Sequence, residues 1–194
     1  MSGTPPRRGP RVTTRTGDGG TTGLLGGARV RKDHPAIALL GAVDEAQAFL
    51  GLARAECPVD DPVRERLARL ETELWVLMAE VATPPESRGG LRPGETAVTA
   101  EMVAGLEAAT AEAMQGVELS SAFAVPGDNR LSAALDVART VVRRAERCAA
   151  GLDLEGSVVL VYLNRLSDLC WALARRTEKE HRVQRRTRAN GGRR

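Results

Sequence analysis

Apolar residues recur every three or four positions through one uninterrupted stretch, which begins after Pro62 and ends before Pro84. Its members are Val63, Leu67, Leu70, Leu74, Leu77 and Val81. This spacing places all of the apolar side chains on one face of an α-helix, and such a face is stable only when other elements cover it. The chain is therefore expected to fold as a set of packed helices.

Four other segments have the same spacing and begin or end at suitable residues. Pro35 opens a predicted helix that runs to Cys57, and Thr99 is suited to cap another. Two more helices are predicted from about Asn129 to Ala150 and from about Ser157 onward. Since the sequence indicates five helices and no convincing pair of strands, the predicted fold class is all-α: a five-helix bundle preceded by an N-terminal glycine-rich loop.

Composition and charge distinguish one domain from two basic ends. The 194 residues, 42% of them apolar, suit a single globular domain, which we place at residues 11–176. Residues 1–10 are expected to form a disordered N-terminal tail and residues 177–194 a basic C-terminal tail. Met1–Thr16 holds four basic residues and no acid, and Arg175–Arg194 holds nine basic and two acidic residues, so the body between them has a net charge of −8. Solvated tails are commoner than binding tails, so nucleic acid is not an expected partner.

The cysteines and the hydropathy bear on the compartment. Cys57, Cys148 and Cys170 are an odd number at wide spacing and form neither a zinc pattern nor a disulfide framework, which is typical of a reduced cytoplasm. The apolar runs are shorter than the roughly 20 residues that cross a bilayer. We therefore expect a cytoplasmic protein without a membrane partner.

The segment before the first helix is rich in glycine and threonine between Thr13 and Gly23. Backbone N–H groups in such a loop can surround phosphate oxygens, and threonine hydroxyls can complete the shell. The loop lacks the Gly-Lys-Ser/Thr sequence of a P-loop and is not part of a βαβ unit. Its composition leaves phosphate binding and a plain linker both open.

The fourth predicted helix carries Arg139, Arg143 and Arg147 at intervals of four, with Glu146 beside them. Stacked arginines repel one another unless an anion or acidic side chain neutralises them, although a solvated face is the usual explanation. On other helices, the polar residues Asp44, Asn164 and Asp168 lie beside apolar stripes and could be simple boundary residues.

Several kinds of catalytic apparatus are missing from the sequence. It contains only His34 and His181 as histidines, and its cysteines have no paired histidine signature. Nucleophilic and metal-assisted hydrolysis are therefore not expected. If the protein is an enzyme, it acts by binding and positioning its substrates.

Taken together, several of these segments resemble the PduO-type family of ATP:corrinoid adenosyltransferases. The similar stretches are Thr14–Leu24, Arg29–Asp33, Gly41–Glu45, Phe123–Gly127, Ala138–Arg147 and Tyr162–Asp168. They follow one another in the family's order and cover the predicted domain. The last two stretches are the most specific.

The resemblance implies a fold, an activity and partners. The family's fold is a five-helix bundle that assembles as a trimer with active sites between subunits. Its members transfer the 5′-deoxyadenosyl group of ATP to the cobalt of cob(I)alamin, release triphosphate and form adenosylcobalamin. ATP, a reduced corrinoid and Mg²⁺ are thus implied, together with a reductase that supplies the reduced corrinoid and an adenosylcobalamin-dependent mutase that uses the product.

The resemblance also implies roles for single residues. The triphosphate would be held by residues of the glycine-rich loop and one lysine: Thr14, Arg15, Thr16, Gly17, Asp18, Gly20, Thr21, Thr22 and Lys32. Arg143, Glu146 and Asn164 would complete the ATP site from the neighbouring subunit, with Arg143 also catalytic. Asp44 and Arg139 match a pair that joins adjacent subunits by a salt bridge, and Phe123 matches the aromatic residue that displaces the lower axial ligand of cobalt. The resemblance assigns no metal ligand.

The chain departs from the family at four positions. Gly19 stands where lysine is common, Asp128 where glycine is usual, Gln47 where asparagine is frequent and Leu40 where tyrosine is frequent. These departures keep open a non-catalytic cobalamin or ATP carrier or regulator on the same fold. An arginine-rich RNA-binding protein is a further alternative, which depends on the C-terminal tail.

Overall fold

In a computed structural model of the protein, residues 13–118 and 124–178 are described. Over these residues the chain forms five α-helices and a small sheet of two antiparallel strands. The strands are β1 (Thr21–Gly23) and β2 (Arg29–Arg31), and the helices are α1 (Pro35–Glu56), α2 (Pro62–Val81), α3 (Ala100–Ala113), α4 (Arg130–Ala149) and α5 (Val159–Thr177). The five predicted helices are confirmed.

The strand pair corrects the expectation that no strands pair. Thr21 is opposite Arg31 and Gly23 is opposite Arg29 in the antiparallel register. Each strand has only three residues and contains glycine or charged side chains, so the alternation that reveals a longer strand is missing. The pair is anchored to the bundle where the backbone N–H of Leu25 donates to the carbonyl of Ala82 at 2.9 Å.

The helices pack around one apolar core. Helix α1 packs on α2 and on α4, α4 packs on α5, and α5 packs on α3. The side chains that are fully buried include Leu39, Leu50, Leu67, Leu74, Leu77, Leu135, Leu163, Leu166 and Leu169. These leucines belong to the periodic stripes of the sequence, so burial of the stripes is the main stabilising contribution to the bundle.

Local hydrogen bonds fix where the helices begin. The Asp61 carboxylate accepts from the N–H of Val63 at 2.8 Å, and the Thr99 hydroxyl accepts from the N–H of Met102 at 3.3 Å. Asn129 caps α4 by accepting from the N–H of Ser132 at 2.8 Å. Its side-chain amide also donates to the carbonyl of Thr177 at 2.9 Å, which joins the start of α4 to the end of α5.

Helix α1 has the length and hydropathy of a membrane-spanning segment. One face of the helix is covered by packing, because Leu39, Val43 and Leu50 are fully buried against the other helices, whereas Leu52 is 49% exposed. Asp44 and Glu45 lie exposed in the middle of the same helix. The buried face of α1 therefore belongs to the core of the bundle.

The end of α5 corrects the interpretation of the C-terminal charge. Arg175 was counted with the basic tail, yet its side chain is only 3% exposed. It donates to Asp136 Oδ2 at 2.6 Å and to Glu178 Oε1 at 2.6 Å. Arg175 is thus an interior residue of the bundle. Residues 179–194 of the predicted C-terminal tail and residues 1–10 of the predicted N-terminal tail lie outside the described residues.

Candidate active site

The glycine-rich loop before β1, called the arm from here on, forms a compact turn that leads into β1. Arg15 adopts a left-handed backbone with a φ of 62°, which is uncommon for a residue with a side chain. The N–H of Gly20 donates to the carbonyl of Gly17 at 3.2 Å, and the N–H of Lys32 donates to the carbonyl of Gly20 at 2.9 Å. The arm is therefore folded against the β-hairpin, which excludes the plain-linker interpretation.

Arg29 holds the arm in place. Its Nη2 donates to the carbonyl of Thr16 at 2.8 Å and to the Thr21 hydroxyl at 2.8 Å. A second hydroxyl contact joins Thr14 and Thr16, whose Oγ1 atoms are 3.0 Å apart. The guanidinium thus links the turn to β1, and both hydroxyl residues remain at the surface.

Lys32 lies directly over the turn. A methyl group built on Gly17 would be 3.1 Å from Nζ of Lys32, so the ammonium group fills the space that glycine leaves. The backbone of the arm and this cation therefore face the same region of solvent. Arg15, Thr16, Asp18 and Gly20 are also exposed there, while Gly17, Thr21 and Thr22 are half-buried.

The second group of candidate residues lies on α4 and α5. Asn164 donates from Nδ2 to Oε1 of Glu146 at 2.8 Å. The other carboxylate oxygen of Glu146 is 3.8 Å from Nη1 of Arg143. The structure therefore brings together the three residues that sequence comparison grouped. The side chain of Arg143 is 50% exposed and its long ion pair leaves the guanidinium available to an anion.

Asn164 has a further neighbour on α5. Nη1 of Arg165 donates to Oδ1 of Asn164, and Nε of Arg165 donates to Oε1 of Glu107 on α3 at 2.8 Å. The hydrogen bond to Glu107 raises the pKa of the Arg165 guanidinium above its ordinary value. A chain of polar contacts thus runs from α3 through α5 to Arg143 on α4.

Arg139 and Asp44 have different surroundings. Nε of Arg139 donates to Oδ1 of Asp136 at 3.2 Å, and its side chain is 26% exposed. Asp44 is exposed on α1. Glu45, which follows Asp44 on α1, pairs with Arg144 and so joins α1 to α4. The three aligned arginines of α4 are therefore not equivalent, because Arg139 is paired, Arg143 is weakly paired and Arg147 donates to the carbonyl of Arg143 at 3.0 Å.

Two predicted features fall at the border of the described residues. Phe123 lies outside them. The turn that follows, with Pro126, Gly127 and Asp128, leads to the N-cap of α4. Gly127 has a φ of 102°, a conformation that disfavours any residue with a side chain.

Over residues 13–118 and 124–178, no cluster of three or more His, Cys, Asp or Glu side chains is placed to hold a metal ion. All three cysteines are free thiols, as expected. Burial raises the pKa of the Cys170 thiol to about 12, so this cysteine is not a nucleophile.

Two residues of this region were missed as contributors to it. Arg29 and Arg165 both lie in stretches that carry the family resemblance, but neither was assigned a role. The sequence shows only that each arginine lies near candidate site residues, and it does not show what either arginine contacts. Their partners, Thr16 and Glu107, are separated from them by 13 and 58 positions, so only the tertiary structure shows the contacts.

Comparison with known proteins gives a consistent result. The family profile described as Cobalamin adenosyltransferase matches residues 12–177. The chain is 38% identical over 168 residues to Corrinoid adenosyltransferase PduO of Citrobacter freundii, with 84% of this chain and 49% of that protein covered. It therefore spans about half the length of that relative. It is also 39% identical over 170 residues to a corrinoid adenosyltransferase of Mycobacterium tuberculosis, with 85% of this chain and 87% of that protein covered.

Solved structures are similar as well. A phenylalanine-to-histidine variant of the PduO-type ATP:corrinoid adenosyltransferase from Lactobacillus reuteri, complexed with cobalamin and ATP, has a TM-score of 0.77 at 30% identity. The similarity covers 86% of this chain and 90% of that one. An arginine-to-lysine variant from the same organism, complexed with ATP, has a TM-score of 0.75 at 30% identity and covers 84% and 92% of the two chains.

Proposed function

Because the chain belongs to the cobalamin adenosyltransferase family, we propose that it transfers the 5′-deoxyadenosyl group of ATP to the cobalt of cob(I)alamin. The observation that carries this proposal is the match of the family profile to residues 12–177, which include both groups of candidate residues. The similar structures complexed with cobalamin and ATP support the two substrates.

The proposed reaction is a direct displacement. The electron pair of cobalt(I) attacks C5′ of ATP, the cobalt–carbon bond forms, and the C5′–oxygen bond breaks with its electrons leaving on triphosphate. No proton has to be moved by a side chain. This agrees with a chain in which the described residues offer hydrogen-bond donors and cations rather than an activated nucleophile. The protein contributes alignment of the two substrates and stabilisation of the charge that develops on triphosphate.

We assign the triphosphate to the glycine-rich arm and Lys32. The backbone N–H groups of the turn, the hydroxyls of Thr14 and Thr16, and the Lys32 ammonium supply donors on one exposed surface. When bound, Mg²⁺ would supply further neutralisation of the phosphate oxygens. Arg143 supplies a guanidinium whose planar donors suit two phosphate oxygens at once.

We propose that the arm of one subunit and the α4–α5 group of the next form one site in a homotrimer, as the family resemblance implies. Exposed apolar residues next to the second group support the same arrangement, because Leu160 and Val161 precede Asn164 by one helical turn and are 40% and 42% exposed. In this assembly, Asp44 of one subunit would pair with Arg139 of the next.

Phe123 is proposed to lie against the corrin ring. An apolar side chain there would displace the lower axial ligand and make cobalt(II) easier to reduce, so that a reductase could deliver the cob(I)alamin nucleophile. A mutase that uses adenosylcobalamin would consume the product. We further propose that the protein acts in the cytoplasm.

The activity is tested anaerobically with reduced cobalamin, ATP and Mg²⁺, by recording the absorption spectrum over time. The expected result is the spectrum of adenosylcobalamin together with release of triphosphate. Binding of ATP and cobalamin without this product would instead support the carrier or regulator, which the departures at Gly19 and Asp128 keep open. Unchanged activity after deletion of residues 179–194 would separate the reaction from the basic tail.

The shared site is tested by mixing two impaired variants and assaying them at an ATP concentration well below KM, where loss of either group lowers the rate. In Lys32→Ala the arm is defective, and in Arg143→Ala the α4 group is defective. If each site combines two subunits in a head-to-tail ring, random reassembly restores about a quarter of the sites to wild type. No recovery after denaturation and joint refolding would place both groups in the same chain.

A further inference from the structure

Four polar side chains form a continuous line across three helices. Glu107 on α3 accepts from Arg165 at 2.8 Å, Arg165 donates to the Oδ1 of Asn164, and Asn164 donates to Glu146 at 2.8 Å. Glu107 and Arg165 are at the surface, with 54% and 38% of their side chains exposed. Glu146 is 20% exposed, so the line runs from solvent towards the more buried end at α4.

The chemistry of the neighbours fixes which way the Asn164 amide points. A guanidinium can only donate hydrogen bonds, and an ionised carboxylate can only accept them. Asn164 lies between one of each, so its oxygen must face Arg165 and its NH₂ must face Glu146. Rotation of the amide by half a turn would place two donors together on one side and two acceptors together on the other.

We infer that Arg165, supported by Glu107, is a positioning residue that orients Asn164 and through it Glu146. The inference rests on the proposed placement of Asn164 and Glu146 in the ATP site. Arg165 acts without touching ATP. It acts by keeping the amide in the one orientation in which Asn164 holds the Glu146 carboxylate beside Arg143.

The contribution of Glu107 is smaller than that of Arg165. The Glu107–Arg165 pair is exposed, and exposed ion pairs contribute little because water and salt screen them. Arg165 itself makes a charge-assisted hydrogen bond to Asn164, which is stronger. The effects on ATP binding should therefore be graded along the line, largest at Asn164 and smallest at Glu107.

The test measures the dissociation constant of ATP by calorimetry, in the absence of corrinoid, for single and double variants of the full chain. Arg165→Met removes the donor and keeps the length of the side chain, whereas Arg165→Lys keeps a donor. We expect Arg165→Met to weaken ATP binding about tenfold. Arg165→Lys should keep most of the wild-type affinity for ATP. Glu107→Gln should weaken ATP binding about two- to threefold and should add nothing in the Arg165→Met background.

Glu112→Gln is the matched control. Glu112 also lies on α3, is 55% exposed and pairs with Arg66 on α2 at 2.7 Å, but it has no contact with Asn164 or Arg165. Its loss should leave ATP binding unchanged. If Glu107→Gln and Glu112→Gln gave the same dissociation constant and Arg165→Met matched wild type, while Asn164→Ala bound ATP weakly, the positioning role would be wrong.

A different result would contradict the underlying site. If Asn164→Ala itself bound ATP as tightly as wild type, the placement of Asn164 in the ATP site would be wrong, whatever the Arg165 variants did. Thermal unfolding of each variant separates loss of fold from loss of orientation. Should Arg165→Met fail to fold, Glu107→Gln and Arg165→Lys, which keep polar side chains at the surface, decide the question with Glu112→Gln as reference.

Discussion

Asp136 and Arg175 form an ion pair at 2.6 Å in which both side chains are at most 5% exposed. The second oxygen of Asp136 accepts from Arg139, and Arg175 also donates to Glu178. The guanidinium of Arg175 further lies over the ring of Trp171, at 5.8 Å from its centroid. The pair thus connects the last turn of α5 with Arg139 on α4, the residue proposed to pair with the neighbouring subunit.

We expect Arg175→Met to lower the free energy of unfolding by about 3–5 kcal/mol, because it leaves two carboxylates in the interior without their main cation. Asp136→Asn should cost less, about 1–3 kcal/mol, since Arg175 keeps its contact with Glu178. Urea unfolding monitored by circular dichroism measures both. A loss below about 1 kcal/mol in Arg175→Met would mean that the interior is open to water there.

Arg143→Ala should lower kcat about a hundredfold, because one donor at a developing negative charge contributes roughly 3 kcal/mol to the transition state. The measurement is the anaerobic rate of adenosylcobalamin formation at saturating ATP. Arg130→Ala is the control on the same helix, since Arg130 is 85% exposed and pairs only with Glu56 at 3.2 Å among the residues described. Near-normal turnover of Arg143→Ala would remove Arg143 from the reaction.

Gly17→Ala should raise KM for ATP about two- to fivefold with little change in kcat, because the added methyl would displace the Lys32 ammonium from its place 3.1 Å away. Gly19→Ala is the matched control in the same turn. A methyl group on Gly19 meets no atom within 4 Å, and its φ is not positive. Equal effects of the two substitutions would mean that Lys32 has no part in binding ATP.

Gly19→Lys should lower KM for ATP, by about threefold, because it adds a cation to an exposed position beside the proposed phosphate surface. The gain should shrink in high salt, as expected for an exposed charge. A kinetic titration of ATP at two ionic strengths measures both effects. An unchanged KM would place Gly19 away from the phosphates.

The buried thiol of Cys170 should lower the free energy of unfolding in alkaline solution. Burial raises the pKa of its thiol from 9.0 to about 12 in the folded protein, so between these values the unfolded chain releases a proton that the folded chain keeps. Rising pH therefore stabilises the unfolded chain, and the free energy of unfolding should fall by up to about 1.4 kcal/mol per pH unit above pH 9. This contribution is fully present below pH 9.

The measurement compares urea unfolding at pH 8.5, 9.5 and 10 in wild type and Cys170→Ala. The slope against pH should be shallower in the variant, whatever its absolute stability. Burial and the nearby Glu73 also raise the pKa of Tyr162 well above 10.0, so this tyrosine acts mainly above that pH and does not blur the comparison. Equal slopes would contradict the assignment to Cys170.

The helices could be predicted because their signals are local. Periodic leucines and the caps at Asp61, Thr99 and Asn129 lie within a few residues of the elements they specify. The strand pair β1–β2 could not be predicted, since three residues per strand give no visible alternation and the pair is held by contacts with Arg29 and with Ala82 at the end of α2. Secondary structure was thus predictable wherever periodicity extended over several turns.

One group of contacts at the candidate site could be anticipated from the sequence, whereas the contacts that connect this group to other helices could not. Arg143, Glu146 and Asn164 were grouped through motifs, and the structure brings them into contact. Two other contacts depend on tertiary packing: Arg165 donates to Glu107, which lies 58 positions away, and Arg175 is buried with Asp136, which lies 39 positions away. A charge count along the sequence even assigned Arg175 to the solvated tail, because it cannot distinguish a buried arginine from an exposed one.

Asn129 caps the start of α4 with its carbonyl oxygen and holds the end of α5 with its amide nitrogen. One side chain therefore links the turn that enters α4 to the point at which the chain leaves the bundle. Fraying of either end would break the hydrogen bond between them, so each end helps to hold the other in place. Replacement of Asn129 would therefore remove the cap of α4 and the contact with the last residue of α5 at the same time.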